Sequence, residues 1–146
     1  SLYESVFAQG IMTTYYVDTC IWLNLFNKEQ AKVQGLPVWK IAELFLKQHE
    51  ENITLTRFVR RETLNKARDK NQIIFLDKFQ ELNVNPEEII LAREIESKEQ
   101  YQLSFFDCIH IAVCKTSGYT LITRDKELLE RGTKYISIRK PENVIY

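Results

Sequence analysis

The 146-residue sequence has no long apolar run, and this absence excludes a membrane-spanning helix. Its longest apolar stretches are short, such as residues 20–23, whereas a spanning helix needs about 20 predominantly apolar residues. Acidic and basic residues balance at 20 each, so a protein that coats nucleic acid by net positive charge is also excluded. With only 4 Gly and 3 Pro, the chain is not linker-rich. Its length and composition predict one soluble packed domain.

Cysteine and histidine are scarce as well. Cys20, Cys108 and Cys114 form an odd set without a Cys-x-x-Cys spacing, which favours neither a disulfide framework nor a zinc site. We interpret all three as small buried hydrophobic residues, which is typical of a reducing cytoplasm. The only histidines, His49 and His110, are too few to build a multi-histidine metal centre.

The patterned part of the sequence begins near Met12, the single methionine. Residues 1–11 lack the charged start and the apolar core of a secretory signal. We interpret them as a leader or a remnant of expression, and we predict that residues 12–146 form one domain.

Hydrophobic periodicity predicts strands that alternate with helices. Strands are expected at 15–17, 53–56, 119–123 and 134–138, with a short last one at 143–146. Helices are expected at 19–26, 37–50, 58–70, 72–82, 85–99, 104–118 and 126–132, and a loop at 27–37. This alternation favours a parallel sheet with right-handed crossovers.

Four acidic residues are expected to meet at one edge of that sheet. Asp18 ends the first strand, Asp125 follows the third, Glu62 lies early in the helix after the second, and Asp107 lies near the start of a buried helix. Helix capping would explain Asp18 or Asp125 alone, and a solvated helix face would explain Glu62. Asp107 fits a cap poorly because Ser104 takes that place. Clustered carboxylates repel one another unless a cation lies between them, and oxygen ligands suit Mg²⁺ or Mn²⁺.

Four ordered segments carry a resemblance to a known family. They are residues 16–21, Thr56 with Glu62 six positions later, residues 103–112 and residues 121–125. In this order and spacing they resemble PIN-domain ribonucleases, especially the VapC-like toxins of toxin–antitoxin pairs. The resemblance implies a three-layer α/β/α sandwich with a central, mainly parallel sheet of four to five strands.

The resemblance also implies metal-dependent hydrolysis of RNA phosphodiester bonds. Asp18, Glu62, Asp107 and Asp125 match the acidic positions of the family, which makes them candidate catalytic residues and candidate ligands of Mg²⁺ or Mn²⁺. Thr123 matches the small hydroxyl residue that commonly precedes the last acid, and we include it as a candidate substrate-binding residue.

The helix that carries Glu62 is locally basic. Six basic and two acidic residues lie between positions 57 and 70. This stretch is either a phosphate-binding patch, with Arg60 and Arg61 as its substrate contacts, or an ordinary solvated helix face. His110, three residues after Asp107, is interpreted as a core histidine in spite of its position near the acids.

Two partners follow from these observations, RNA and a small antitoxin protein. Four aromatic residues on the early helices either pack in the core or form a surface for that partner or for a second copy in a homodimer: Trp22, Phe26, Trp39 and Phe45.

Other classes of protein fit less well. A haloacid-dehalogenase-like phosphatase needs a second aspartate two residues after Asp18, where Cys20 stands, and a receiver domain needs paired acids before Asp18. An RNA-processing PIN nuclease and an inactive PIN-like scaffold that binds RNA or protein remain open alternatives. The presence of all four acids argues for activity.

Overall fold

The computed structural model describes residues 13–146, so the predicted leader at 1–11 lies outside the described residues. Five strands form one sheet in the order β5-β4-β1-β6-β7, and two form a separate antiparallel hairpin. The sheet strands are β1 Tyr15–Val17, β4 Ile53–Thr56, β5 Gln80–Leu82, β6 Thr120–Ile122 and β7 Ile138–Arg139, and the hairpin strands are β2 Lys32–Val33 and β3 Leu36–Pro37. Every pairing in the larger sheet is parallel, which confirms the expected sheet.

Helices cover both faces of this sheet. The α-helices are α1 Thr19–Phe26, α2 Val38–Gln48, α3 Arg57–Lys66, α4 Pro86–Lys98, α5 Phe105–Ser117 and α6 Lys126–Arg131. Short 3₁₀ helices span Glu50–Asn52, Lys70–Lys78, Gly132–Lys134 and Pro141–Val144. No helix within residues 13–146 is long and apolar enough to cross a lipid bilayer.

The order of the strands explains the three layers. The chain moves outward from β1 through β4 to β5, and then returns across the sheet to β6 and β7. Because parallel crossovers are right-handed, this reversal puts α1, α2 and α3 on one face and α4, α5 and α6 on the other. The packing of α1 against α2 and α3, and of α4 against α5, agrees with this arrangement. The predicted α/β/α sandwich is confirmed.

The aromatic residues of the early helices belong mainly to the core. Trp22, Phe26 and Phe45 are buried, and the Trp22 ring packs against Phe26 and Phe79 at centroid distances of 6.2 and 5.3 Å. Of the two interpretations left open by the sequence, core packing is correct for these three residues. Trp39 remains partly accessible, with the Lys28 ammonium 4.5 Å from its ring centroid.

Local signals fix the limits of the helix that carries Asp107. The Ser104 hydroxyl accepts a hydrogen bond from the Asp107 amide at 3.1 Å, which caps the first turn of α5. Gly118 ends α5 with a φ of 72°, a left-handed conformation that glycine adopts without strain. Both ends lie where the sequence predicts them.

The predictions fail at the short edge elements. The stretch 72–82, predicted as a helix, contains the 3₁₀ helix Lys70–Lys78 followed by β5, an edge strand with two exposed residues and no alternating pattern. The expected strands at 134–138 and 143–146 are replaced by β7 and by 3₁₀ turns, and the expected loop at 27–37 contains the β2–β3 hairpin. Such short strands depend on backbone pairing with a neighbour more than on their own side chains.

Candidate metal centre and adjoining pocket

Asp18 lies directly after β1 and is held from two sides. Its Oδ1 accepts a hydrogen bond from the Thr19 amide at 2.8 Å, and its Oδ2 accepts one from the Thr123 hydroxyl at 2.7 Å. Its own amide donates to the Ile122 carbonyl at 3.0 Å. The whole residue is 6% exposed. The carboxylate is therefore ordered by α1 and by the residue after β6, at the carboxyl edge of the sheet.

Thr123 connects two of the acidic residues. Besides donating to Asp18, its oxygen accepts a hydrogen bond from the Asp125 amide at 3.0 Å. The residue is completely buried, and its hydroxyl contacts Asp18 and the Asp125 amide. Asp125 itself is exposed and caps α6 by accepting a hydrogen bond from the Leu128 amide.

Cys20 contacts one side of the Asp18 carboxylate. Its Sγ lies 3.6 Å from Asp18 Oδ2 and 3.5 Å from the Thr123 hydroxyl oxygen, and it accepts a hydrogen bond from the Arg124 amide. Burial, followed by the negative charge of Asp18, raises the pKa of the Cys20 thiol to about 12. The thiol is therefore protonated at neutral pH and is a poor nucleophile.

Asp107 shows that the four acids interact electrostatically. Burial is the largest cause that raises the pKa of Asp107 to about 7, and the charges of Asp18, Asp125 and Glu62 raise it further. A hydrogen bond with Ser104 opposes the shift. Asp18 and Asp125 directly follow β1 and β6 at the carboxyl edge of the sheet, and Asp107 lies in the first turn of α5, the helix that leads back to the start of β6.

The four carboxylates have the chemistry of a site for a hard cation. Among residues 13–146, no set of three or more His, Cys, Asp or Glu side chains is preassembled around an ion position. The charged groups that act on Asp107 are all carboxylates, and carboxylate oxygens favour Mg²⁺ or Mn²⁺ over softer metals. A divalent cation would relieve the part of the Asp107 pKa shift that comes from the neighbouring carboxylates.

His110 is a core histidine that also reaches the acidic edge. Its Nδ1 is 2.7 Å from the Tyr16 hydroxyl, which is 2.8 Å from the Thr56 hydroxyl oxygen, and its Nε2 is 3.8 Å from Asp18 Oδ1. Burial lowers the pKa of His110, which favours the neutral imidazole. The sequence did not predict the hydrogen bonds of the Tyr16 hydroxyl with Thr56 and His110 beneath the site. The position of Tyr16 inside a strand indicates only that the residue is buried.

The two neighbouring arginines of α3 have different environments. Arg60 donates to Glu81 at 2.6 Å and to Asp77 at 2.8 Å, and so it links α3 to β5 and to the 3₁₀ helix before it. Arg61 is exposed and lines a pocket of about 260 Å³ beside the acids. Of the two arginines in the predicted phosphate-binding patch, Arg60 therefore forms structural ion pairs, whereas Arg61 is an exposed cation at the pocket.

That pocket contains residues which the sequence analysis did not assign. It is lined by Phe58, Arg61, Glu62, Asn65, Lys66, Phe106 and His110. The sequence could have indicated this pocket, because Phe58, Asn65 and Lys66 lie at i−4, i+3 and i+4 from Glu62. Helical residues at this spacing share one face.

The structure is a parallel α/β/α sandwich with acidic residues at the carboxyl edge of its sheet. It therefore belongs to the class of α/β proteins that have a polar site at that edge. Within this class, the family model for the PIN domain matches residues 15–134. The chain belongs to the PIN-domain family. No curated protein sequence matches the chain significantly.

Solved structures share the fold at low sequence identity. A toxin–antitoxin complex from Klebsiella pneumoniae has a chain that is 19% identical, with a TM-score of 0.66 over 88% of this chain and 98% of that chain. DNA-bound VapBC from Salmonella typhimurium has one that is 13% identical, with a TM-score of 0.66 over 89% and 99%. PAE2754 from Pyrobaculum aerophilum is 18% identical, with a TM-score of 0.62 over 91% and 94%. At these identities the likeness concerns the fold.

Proposed function

We propose that this protein is an endoribonuclease that hydrolyses phosphodiester bonds of single-stranded or looped RNA with Mg²⁺ or Mn²⁺. The observation that carries the proposal is the placement of Asp18 and Asp125 directly after β1 and β6, at the carboxyl edge of the parallel sheet, where both are hydrogen-bonded to the buried Thr123. The raised pKa of Asp107, caused first by burial and then by the charges of Asp18, Asp125 and Glu62, supports it. Membership of the PIN-domain family supports the same activity.

The four acids have separate parts in this proposal. Asp18 and Asp107 hold the ion, and Glu62 and Asp125 complete the negative surface around it. A divalent ion at this position would activate water near neutral pH and neutralise charge that develops on the phosphate. Thr123 fixes one oxygen of Asp18 by hydrogen bonding, so that this carboxylate does not need to be ordered when the ion binds.

The test is a cleavage assay on labelled single-stranded RNA. We expect cleavage with Mg²⁺ or Mn²⁺, none with EDTA, and products with a 5′-phosphate and a 3′-hydroxyl. Asp18→Asn and Asp107→Asn should each reduce the rate by orders of magnitude while the fold is retained. Cleavage that continues in EDTA, or products with 2′,3′-cyclic phosphates, would contradict the proposal. Absence of cleavage, together with retained RNA binding, would favour an inactive scaffold.

We also propose that the partner of this nuclease is a small antitoxin protein. An apolar groove of about 490 Å³ lies between α1, α2 and the 3₁₀ helix Lys70–Lys78. Its walls include Leu25, Leu46 and Phe75, and Ile74 at its edge is 73% exposed. Exposed apolar surface of this kind is typical of binding grooves. Two solved structures with this fold are a toxin–antitoxin complex and DNA-bound VapBC, which supports a toxin role over RNA processing.

Two further parts of the proposal concern assembly and location. The three cysteines are free, which supports a reducing compartment such as the cytoplasm. A homodimer stays a prediction, and size-exclusion chromatography with light scattering tests it.

A further inference from the structure

The pocket beside the acidic residues lies between α3 and α5. Two of its lining residues, Glu62 and His110, also belong to the surroundings of Asp18 and Asp107, as the 3.8 Å approach of His110 to Asp18 shows. Whatever occupies the pocket is therefore placed next to the candidate metal centre. Its volume of about 260 Å³ lies just below the range of roughly 300–1,000 Å³ of small-molecule sites, which suits one planar ring system.

Aromatic rings form one wall of this pocket. Phe106 is 49% exposed, although it directly precedes Asp107 in a helix that is otherwise largely buried. Its ring centroid is 5.6 Å from that of the half-buried Phe58. The neighbouring Phe105 differs, because the Arg93 guanidinium covers its ring at 3.7 Å. An exposed ring beside a nuclease site is available for stacking on a flat ligand.

Cations and an amide surround the rings. Arg61, Asn65 and Lys66 are exposed and line the same pocket, and Lys66 lies 3.7 Å from Glu62, which offsets the negative charge of that acid. Cations bind phosphate, aromatic rings stack on the faces of bases, and an amide can bind a base edge. These three features together fit a nucleotide better than they fit a protein segment or an apolar metabolite.

We propose that this pocket binds one unpaired nucleobase of the RNA substrate, stacked on Phe106, beside the phosphodiester that is hydrolysed at the carboxylates. This inference rests on the proposed ribonuclease function. It identifies the substrate class as RNA with an unstacked base next to the cut, because a base inside a double helix has no free face for the ring. It also assigns Arg61 and Lys66 to the phosphate that flanks this base.

The test pairs a change in the protein with a change in the RNA. Phe106→Leu removes the ring and keeps an apolar side chain, whereas Phe106→Tyr keeps the ring. Each protein is measured by fluorescence anisotropy in EDTA with one labelled single-stranded RNA, and with copies in which an abasic ribose replaces one base at a time. For the parent and Phe106→Tyr, one abasic position near the cut should weaken binding by about 5- to 150-fold.

The decisive result is the coupling between ring and base. In Phe106→Leu the same abasic substitution should have no effect, because the stacking partner is already missing. Tyr146→Leu is the matched control: Tyr146 is 90% exposed and lines a pocket at the opposite edge of the sheet with Tyr15 and Thr120. This control should retain the parent's sensitivity to the abasic position.

The outcomes separate this inference from the proposed function. If the parent cleaves RNA with Mn²⁺ but Phe106→Leu keeps the full abasic effect, the pocket is not a base site and the nuclease proposal stands. If the coupling appears but no variant cleaves RNA, the pocket is a base site of an RNA-binding scaffold. If the parent neither binds nor cleaves RNA, both proposals fail. If Phe106→Leu escapes inhibition by a protein partner but keeps the parent's abasic effect, the pocket is the site of that partner.

Discussion

Asp107 lies in an environment that differs strongly from that of a free carboxylate in water. Its pKa of about 7 in the folded protein compares with about 3.9 in an unfolded chain. The folded state therefore binds this proton more tightly between about pH 4 and pH 7, so the metal-free protein loses stability as the pH rises through that range. The loss is complete above the folded-state pKa.

The first residue-scale prediction follows from this linkage. Asp107→Asn removes the charge at nearly constant shape, so in EDTA at pH 8 the variant should be at least as stable as the parent. The unfolding free energy of the parent should fall between pH 4 and pH 7, and that of the variant should fall less. Urea unfolding at a series of pH values measures both effects.

Metal provides the control for this prediction. Mn²⁺ at about 100 times its dissociation constant should stabilise the parent by roughly 2.7 kcal/mol, because it binds only the folded state. The gain should be smaller for Asp107→Asn. A variant that is less stable than the parent in EDTA at pH 8, yet gains normally from Mn²⁺, would make Asp107 a structural hydrogen-bonding residue instead.

At the scale of the element, α3 shows how one helix separates two adjacent cations. Arg60 points to Asp77 and Glu81 and ties the helix to the sheet edge, while Arg61 faces the pocket. Residues next to each other in a helix are about 100° apart around its axis, so they meet different neighbours. A charge count along the sequence cannot make this distinction.

The two arginines should therefore behave differently when each is replaced by alanine. Arg61→Ala should lower the slope of log Kd for single-stranded RNA against log salt by about 0.7, the value for one lost phosphate contact. Arg60→Ala, its matched control, should leave that slope unchanged and reduce the unfolding free energy by about 0.2–1 kcal/mol for its partly exposed ion pairs. Equal slopes for both variants and the parent would make the basic stretch a solvated face.

At the scale of the whole molecule, the acidic edge and the apolar groove are separate surfaces. The groove shares no lining residue with the pocket beside the acids. The aromatic residues Trp22 and Phe45, which suggested a partner surface in the sequence, are buried within the domain. The accessible apolar surface comes instead from the half-buried Leu25 and from Ile74 and Phe75 of the 3₁₀ helix Lys70–Lys78.

This arrangement predicts which surface mutation blocks inhibition by the proposed antitoxin. Ile74→Asp places a charge at the groove edge and should prevent co-purification with the product of a small adjacent gene, while RNA cleavage by the nuclease is retained. Ile90→Asp is the matched control, since Ile90 is 60% exposed on α4 and should keep the complex intact. If the parent protein is purified from its host alone and fully active, and neither variant has an inhibitory partner, this would count against an antitoxin.

The sequence by itself determined the parts of this protein that depend on local chemistry. The buried strand before Asp18, the Ser104 cap and the Gly118 terminus of α5 lie where hydrophobic pattern and capping residues predict them. The parallel sheet followed from the alternation of strands and helices, and the PIN-domain family followed from four short motifs in a fixed order. The positions of Asp18 and Asp125 after β1 and β6 were also predictable, because strand ends share one edge of a parallel sheet; a metal site formed by the four acids stays a prediction.

Only the tertiary structure decided the features that depend on distant partners. Strand β5 exists because Thr54–Thr56 offers it a backbone to pair with, and its own side chains show no strand pattern. Arg60 is paired with Asp77 and Glu81, and the Thr123 hydroxyl is buried against Asp18. Pairing, burial and proximity are properties of the folded chain, and they set the charge and access of each side chain.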